Sequence, residues 1–128
     1  MRIILVNVNT TRAITAGIVE QARAVAAVET QVIGVTPSIG AGSVEGNFES
    51  YLAAVAVMDA VQYYEGPYAA VIQAGFGELG REGLQELLDV PVVDITEAAV
   101  LIAHLLGHRY SVVTTLDRTV PLIEDRLR

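Results

Sequence analysis

Arg2-Ile3-Ile4-Leu5-Val6-Asn7-Val8-Asn9-Thr10-Thr11 decides the fold. Residues 2 to 8 form a short, largely β-branched apolar run without polar alternation, the pattern of a strand buried on both faces. The run stops at amide and hydroxyl side chains. Ile14, Ile18, Ala22 and Val25 then recur at helical spacing through residue 27. Asn9, Thr10 or Thr11 is placed to cap that helix.

The rest of the chain repeats this alternation. A second strand is expected over Gln31 to Val35, followed by a loop from Thr36 to Asn47 that carries Pro37, Gly40, Gly42 and Gly46. An Ala/Val-rich helix spans Phe48 to Tyr64 and is broken by Gly66-Pro67. A third strand, Tyr68 to Ala74, ends in Gly75-Phe76-Gly77, and a short helix follows over Glu78 to Leu88. A fourth strand covers Val90 to Ile95. Thr96 is the expected N-cap of a helix over Glu97 to Leu106, which Gly107 ends. Tyr110 to Thr114 reads as a fifth strand, and Thr115 to Leu127 as a closing helix that restarts near Pro121. Five alternations with uniformly apolar strands predict an α/β three-layer sandwich: an open, mostly parallel sheet with helices on both faces. No linker divides the chain, so residues 1–128 read as a single α/β domain.

Composition agrees with one real core, at 128 residues, 52% hydrophobic and 18% charged. There is no apolar run of about 18 residues to span a membrane. The N-terminal apolar run is too short for a signal peptide, so a cytoplasmic location is expected. The formal charge is −7, and no lysine is present. That balance argues against a nucleic-acid partner but leaves room for a small anion held at helix starts. Cysteine is absent, which removes disulfides, thiolate metal sites and thiol nucleophiles. Two histidines without matched carboxylates make no metal site. A receiver domain would want clustered aspartates and a late lysine, and the glycine fingerprint of a flavin or nicotinamide site is missing.

In open parallel sheets, ligands sit beyond the carboxyl ends of the strands. The candidate substrate-binding residues are therefore Asn9, Thr10 and Thr11 after the first strand, Phe76 and Gly77 after the third, and Thr114 and Thr115 after the fifth. Amides, hydroxyls and free helix-start N–H groups suit a carboxylate or carbonyl. Gly75 and Gly77 allow close backbone approach or a tight turn. The turn lacks the Lys-Ser/Thr of a phosphate loop. Glu45, Glu78 and Glu97 lie near this face and are proton-transfer groups by type, although acids at helix starts usually serve the dipole. His104 and His108 fall outside the strand-end loops and read as packing or surface residues.

Five segments, in order, resemble the aspartate/glutamate/hydantoin racemase family, and most closely its hydantoin and allantoin racemase branch. Asn7-Val8-Asn9-Thr10-Thr11 is similar to an Asn-Pro-Asn-Thr motif, with Val8 in place of proline. Gly42-Ser43-Val44-Glu45-Gly46-Asn47-Phe48-Glu49 resembles Ser-Ile-Glu-Gly-Tyr-Asp, and Ala74-Gly75-Phe76-Gly77-Glu78-Leu79-Gly80 resembles Ala-Cys-Phe-Gly-Asp-Pro-Gly. Pro91-Val92-Val93-Asp94-Ile95-Thr96-Glu97-Ala98-Ala99 resembles Pro-Val-Val-Gly-Ile-x-Glu-Ala-Ala. Leu106 to Thr115 resembles Leu-Gly-x-x-Phe-Ser-Val-Val-Thr-Thr.

The resemblance implies a cofactor-independent isomerase of flavodoxin-like architecture. Two cysteines would face each other across the substrate and transfer a proton at a carbon alpha to a carbonyl. It further implies that 1–128 correspond to the first lobe and the start of the second lobe of a two-lobed protein. The expected partner is a small molecule: an amino acid, a hydantoin or a related ureide. A homo-oligomer is expected too, since self-pairing could rebuild a two-lobed cleft. The family's first catalytic cysteine falls at Gly75, which has no side chain. Racemisation by two thiols is therefore not expected of these residues. Three readings stay open: a truncated or altered racemase, a relative that binds small carboxylates or ureides without catalysis, and a decarboxylase-like variant, which would need a second cysteine.

Overall fold

In the computed structural model, which describes residues 1–128, the apolar run at the start of the chain becomes β1 (Arg2–Asn7), an interior strand of the sheet. Ile4 and Val6 face one side and Leu5 the other, and all three are buried. That two-sided burial explains the missing polar alternation. The chain continues through α1 (Arg12–Val25), β2 (Gln31–Val35), α2 (Asn47–Gln62), β3 (Ala70–Ala74), α3 (Arg81–Leu87), β4 (Val92–Asp94) and α4 (Ile95–Leu106). A single 3-10 turn at Asp117–Thr119 then leads into α5 (Val120–Arg126), with Pro121 in its first turn, where its missing N–H costs nothing.

The four strands run parallel in the order β2-β1-β3-β4. On one face Ile4, Val6, Val8, Val71 and Val92 pack with Ala53, Val57 and Val61 of α2, Leu84 of α3, and Leu79. On the other, Leu5, Val32 and Ala74 pack with Val19 of α1. The layers are thus helix, parallel sheet and helix, as the alternation predicts. No helix is long and apolar enough to cross a membrane.

The fifth strand does not form. Tyr110 to Thr114 runs without sheet partners, and Val113 is 94% exposed. Its β-branched residues carry strand propensity, but propensity needs a neighbouring strand to hydrogen-bond. The only strand paired with β3 on that side is the three-residue β4. Thr96 is not the N-cap of α4 either. Asp94 takes that place, its Oδ1 accepting the Glu97 N–H at 2.7 Å. A carboxylate accepts that bond more strongly than a hydroxyl does.

Candidate functional site

Strand order reverses direction between β1 and β3, so the crevice beyond their carboxyl ends is the switch point of this sheet. Asn7 pairs with Ala74 in register. The loop from Val8 to Thr11 therefore stands directly beside the turn from Gly75 to Gly80. A single fully buried side chain organises the first loop. Asn7 Nδ2 donates to Asn9 Oδ1 at 3.0 Å and to Thr15 Oγ1 at 3.0 Å, with a longer reach to the Thr11 carbonyl. Asn7 Oδ1 accepts the Asn9 N–H, and Asn9 Oδ1 accepts the Thr11 N–H at 3.0 Å. Thr15 in turn bonds Thr36 at 2.7 Å, tying in the end of β2.

The two threonines hold the neighbouring loop. The Thr10 N–H donates to the Ala41 carbonyl at 3.0 Å, and Thr11 Oγ1 donates to the Gly42 carbonyl at 2.7 Å. Thr11 stands at the N-cap position of α1 but makes no side-chain cap, because its hydroxyl is turned to Gly42. The backbone N–H groups of Asn9, Thr10 and Thr11 are thus all used within the protein. Asn9 Nδ2 takes no part in these bonds.

The second loop is a glycine turn clamped from the first turn of α4. Gly77 has φ +132°, a conformation that a side chain disfavours. Its N–H donates to Thr96 Oγ1 at 2.9 Å, and that hydroxyl points back to the Gly75 carbonyl at 3.4 Å. Thr96 is 2% exposed, so the clamp is dry.

Charge gathers at the same rim. Asp94 is fully buried, and its Oδ2 accepts from Arg126 Nη2 at 2.7 Å, with Arg81 Nε at 3.6 Å. Arg126 also pairs with Glu78 at 2.9 Å, and Arg81 pairs with Glu82 and Glu97. Burial, a hydrogen bond to Glu82 and the Glu82 charge push the Glu78 carboxyl above its ordinary value, against the pull of Arg126. Burial pushes Glu82 the same way, but hydrogen bonds from Glu78 and Arg81 outweigh it and hold that carboxyl at about 2. The Arg81 guanidinium is held above its usual value by its bond to Glu82 and, after the opposing effect of burial, by Glu97. No group of three or more His, Cys, Asp or Glu residues is arranged to hold a metal ion.

An open cleft of about 1070 Å³ lies between this rim and the segment from Tyr110 to Arg126. Phe76, Gly77, Thr114 and Thr115 all line it, together with Ser43 to Asn47. Thr114 Oγ1 is 2.6 Å from Thr119 Oγ1 within that wall. Asn9, Thr10, Thr11 and Gly75 lie outside the lining. Of the acids named from sequence, Glu45 and Glu78 line the cleft and Glu97 does not. Glu45 also pairs with Arg118, bridging the two walls. His104 stacks edge-on against Tyr110, with ring centroids 5.1 Å apart.

Asn7, Thr96 and Arg126 do structural work here that the sequence reading did not assign them. Asp94-Ile95-Thr96-Glu97 fits the spacing of a capping box, so the role of Asp94 had a local signal. Thr96 and Arg126 act on partners 19 and 32 residues away, and spacing alone carries no trace of them.

The sequence profile of the Asp/Glu/hydantoin racemase family matches residues 3–128. A hydantoin racemase of Pseudomonas sp. (strain NS671) is 39% identical over 127 residues, covering 98% of this chain and 51% of that protein. A hydantoin racemase of Rhizobium meliloti is 33% identical, covering 98% of this chain and 52% of its own length. Among solved structures, the allantoin racemase from Pseudomonas fluorescens superposes with a TM-score of 0.97 at 73% identity, over 99% of this chain and 54% of that one. The allantoin racemase from Klebsiella pneumoniae gives 0.95 at 38% identity, over 99% and 52%. The chain spans about half the length of these relatives, and it belongs to the Asp/Glu/hydantoin racemase family.

Proposed function

We propose that this member of the Asp/Glu/hydantoin racemase family is a hydantoin- or allantoin-racemase-like isomerase by descent, one that keeps ureide binding and lacks the thiol at position 75 that two-thiol proton transfer needs. Residues 1–128 would be the first lobe and the start of the second. The substrate would be a small ureide or α-carboxylate, bound beyond the ends of β1 and β3, with no cofactor required. Asn9, Thr10 and Thr11 would approach it from the β1 side, Phe76 and Gly77 from β3, and Thr114 and Thr115 from the far wall. The uncapped start of α1 and the unengaged Asn9 Nδ2 favour a carbonyl or carboxylate oxygen there. Homo-oligomeric assembly would bring a second lobe to the cleft.

The observation that carries the loss of chemistry is Gly75. Inverting a carbon alpha to a carbonyl requires one group to remove the proton and another, on the opposite face, to return it. The motif position for the first of these has no side chain, and no cysteine occurs in the 128 residues. Donors that steady a developing enolate lower the barrier, but they cannot move the proton themselves.

The test has two arms. An optically pure 5-monosubstituted hydantoin, or allantoin, is incubated with the protein and followed by circular dichroism against the spontaneous background. No acceleration is expected, and catalysed loss of optical activity would refute the inactivity. In a thermal-shift series, a ureide at about 100 times its Kd stabilises the fold by roughly 2.7 kcal/mol. Failure of every ureide and small carboxylate to shift the transition would refute the binding.

A further inference from the structure

Position 75 is closed as well as empty. An ideal Cβ built on Gly75 falls 2.5 Å from Leu79 Cδ1 and 2.7 Å from Val8 Cγ2, with Val8 Cγ1 nearer still. Real Cβ atoms do not approach other carbons that closely, so both neighbours would have to move. Neither has an easy place to go. Val8 is 7% exposed and Leu79 2%, and both belong to the larger core cluster with Ile4, Val57 and Leu84. Val8 is β-branched and stiff about χ1. Leu79 sits in the turn whose Gly77 N–H is clamped by Thr96.

The same three positions are those at which an apolar or thiol position of the two strand-end motifs changes in size; the fourth difference, Glu78 for aspartate, keeps its charge. Valine and leucine stand where the motifs have proline, and glycine stands where one has cysteine. One side chain has gone and two larger apolar ones fill the volume it would take. Packed interiors tolerate such compensated exchanges far better than a lone deletion, which leaves a void, or a lone addition, which forces strain.

We infer that Val8, Gly75 and Leu79 act as one coupled apolar plug that seals the β3 end of the lobe against any side chain at position 75. A thiol there cannot be restored by a single substitution, because Val8 and Leu79 exclude it. The inference rests on the reading that the strand-end face is the substrate face, but its test measures packing and uses no turnover.

The experiment is a pair of double-mutant cycles on the whole chain, read as Tm. Gly75→Ala adds only the Cβ, and Gly75→Cys adds the thiol. Each is expected to lower Tm by roughly 5–10 °C. Val8→Ala and Leu79→Ala each lower Tm in the parent chain, where they open a cavity. Combined with Gly75→Ala or Gly75→Cys, the same truncations raise Tm, because they remove the clash. If Gly75→Cys does not fold, recovery of the folded transition in Val8→Ala/Gly75→Cys or Leu79→Ala/Gly75→Cys supports the plug, and failure of both to recover it overturns the idea. Additive losses in both cycles also overturn it, as does an unchanged Tm in Gly75→Cys. In each of these last cases a ureide-dependent thermal shift of the native chain would leave the functional reading standing.

Discussion

Replacing Gln73 with methionine is expected to stabilise the protein. Gln73 is fully buried on β3, paired in register with Val6 on one side and Asp94 on the other. Side chains alternate along a strand, so it shares its face with Val71, in the layer packed by Val57 and Leu84. Neither Nε2 nor Oε1 has a hydrogen-bond partner. An amide buried without partners costs about 1–3 kcal/mol relative to one left in water. Methionine keeps the unbranched length and removes both polar atoms, so most of that cost should be recovered. A chain of 128 residues unfolds with an entropy of about 0.27 kcal/mol/K, at the usual value per residue. The expected gain is therefore a Tm higher by about 4–11 °C. Urea titration followed by far-UV circular dichroism checks it through the midpoint, with the slope m unchanged. Gln73→Ala is the control: it removes the amide but opens a void, so it should fall below Gln73→Met. A Gln73→Met protein no more stable than the parent would refute the reasoning, since it would mean that the amide is satisfied in solution.

Thr96→Val keeps the shape of the side chain but takes the acceptor from the Gly77 N–H, and should cost about 1–3 kcal/mol in urea; unchanged stability would show that the glycine turn holds without the clamp. The Glu78–Glu82 pair predicts a stability maximum near the ordinary carboxylate range. Glu82 is depressed to about 2 in the folded state, so its contribution is present above the unfolded value of 4.5 and fades as pH falls from there toward 2. Glu78 is raised, so its contribution is present below 4.5 and is lost as pH rises through the folded value. Urea midpoints measured from about pH 2 to about pH 7 in the parent and in Glu78→Gln check this: the variant should lose the decline on the alkaline side, and an identical profile would rule out the coupling.

Much of the fold was legible because the strands are buried on both faces. Runs such as Ile3-Ile4-Leu5-Val6 and Ala70-Val71-Ile72 have no reason to be continuously apolar on a half-exposed sheet. Glycine and proline then marked the breaks at Gly66-Pro67 and Gly107. Tyr110 to Thr114 misled for the converse reason, since its β-branched residues describe what would suit a strand, while pairing depends on a neighbour that local sequence cannot supply. The candidate site was legible only as a place. Strand ends could be located, and the bonds of the Asn9 and Thr11 N–H groups to asparagine side chains two residues earlier are local, but those of Thr10 and Gly77 join residues far apart in the chain and depend on how the loops fold against one another. So does the pairing that buries Asp94 under Arg126. Those long-range contacts belong to the tertiary structure.

The departures from the family motifs are accommodated together, and this bears on what the face is for. A buried cysteine simply lost would leave a cavity, and each unfilled methyl-sized void costs about 1 kcal/mol. Here the space is filled by Val8 and Leu79. Asp94 stands where the motif has glycine, and a fully buried carboxylate there would be ruinous alone. It is instead bonded by Arg126 and by the Glu97 N–H, so the new charge also fastens α5 over the cleft. Each change at the rim thus comes with its own local partner, and the sheet, the glycine turn and the cleft wall all persist. Drift without constraint would be expected to leave voids and unpaired charges at such a rim. Among fully buried side-chain atoms, only the amide of Gln73, near the end of β3 and two residues before Gly75, is left without a hydrogen-bond partner. The packing around position 75 is therefore that of a filled and ordered face, which agrees with the proposal that this face binds a ligand without a thiol at that position.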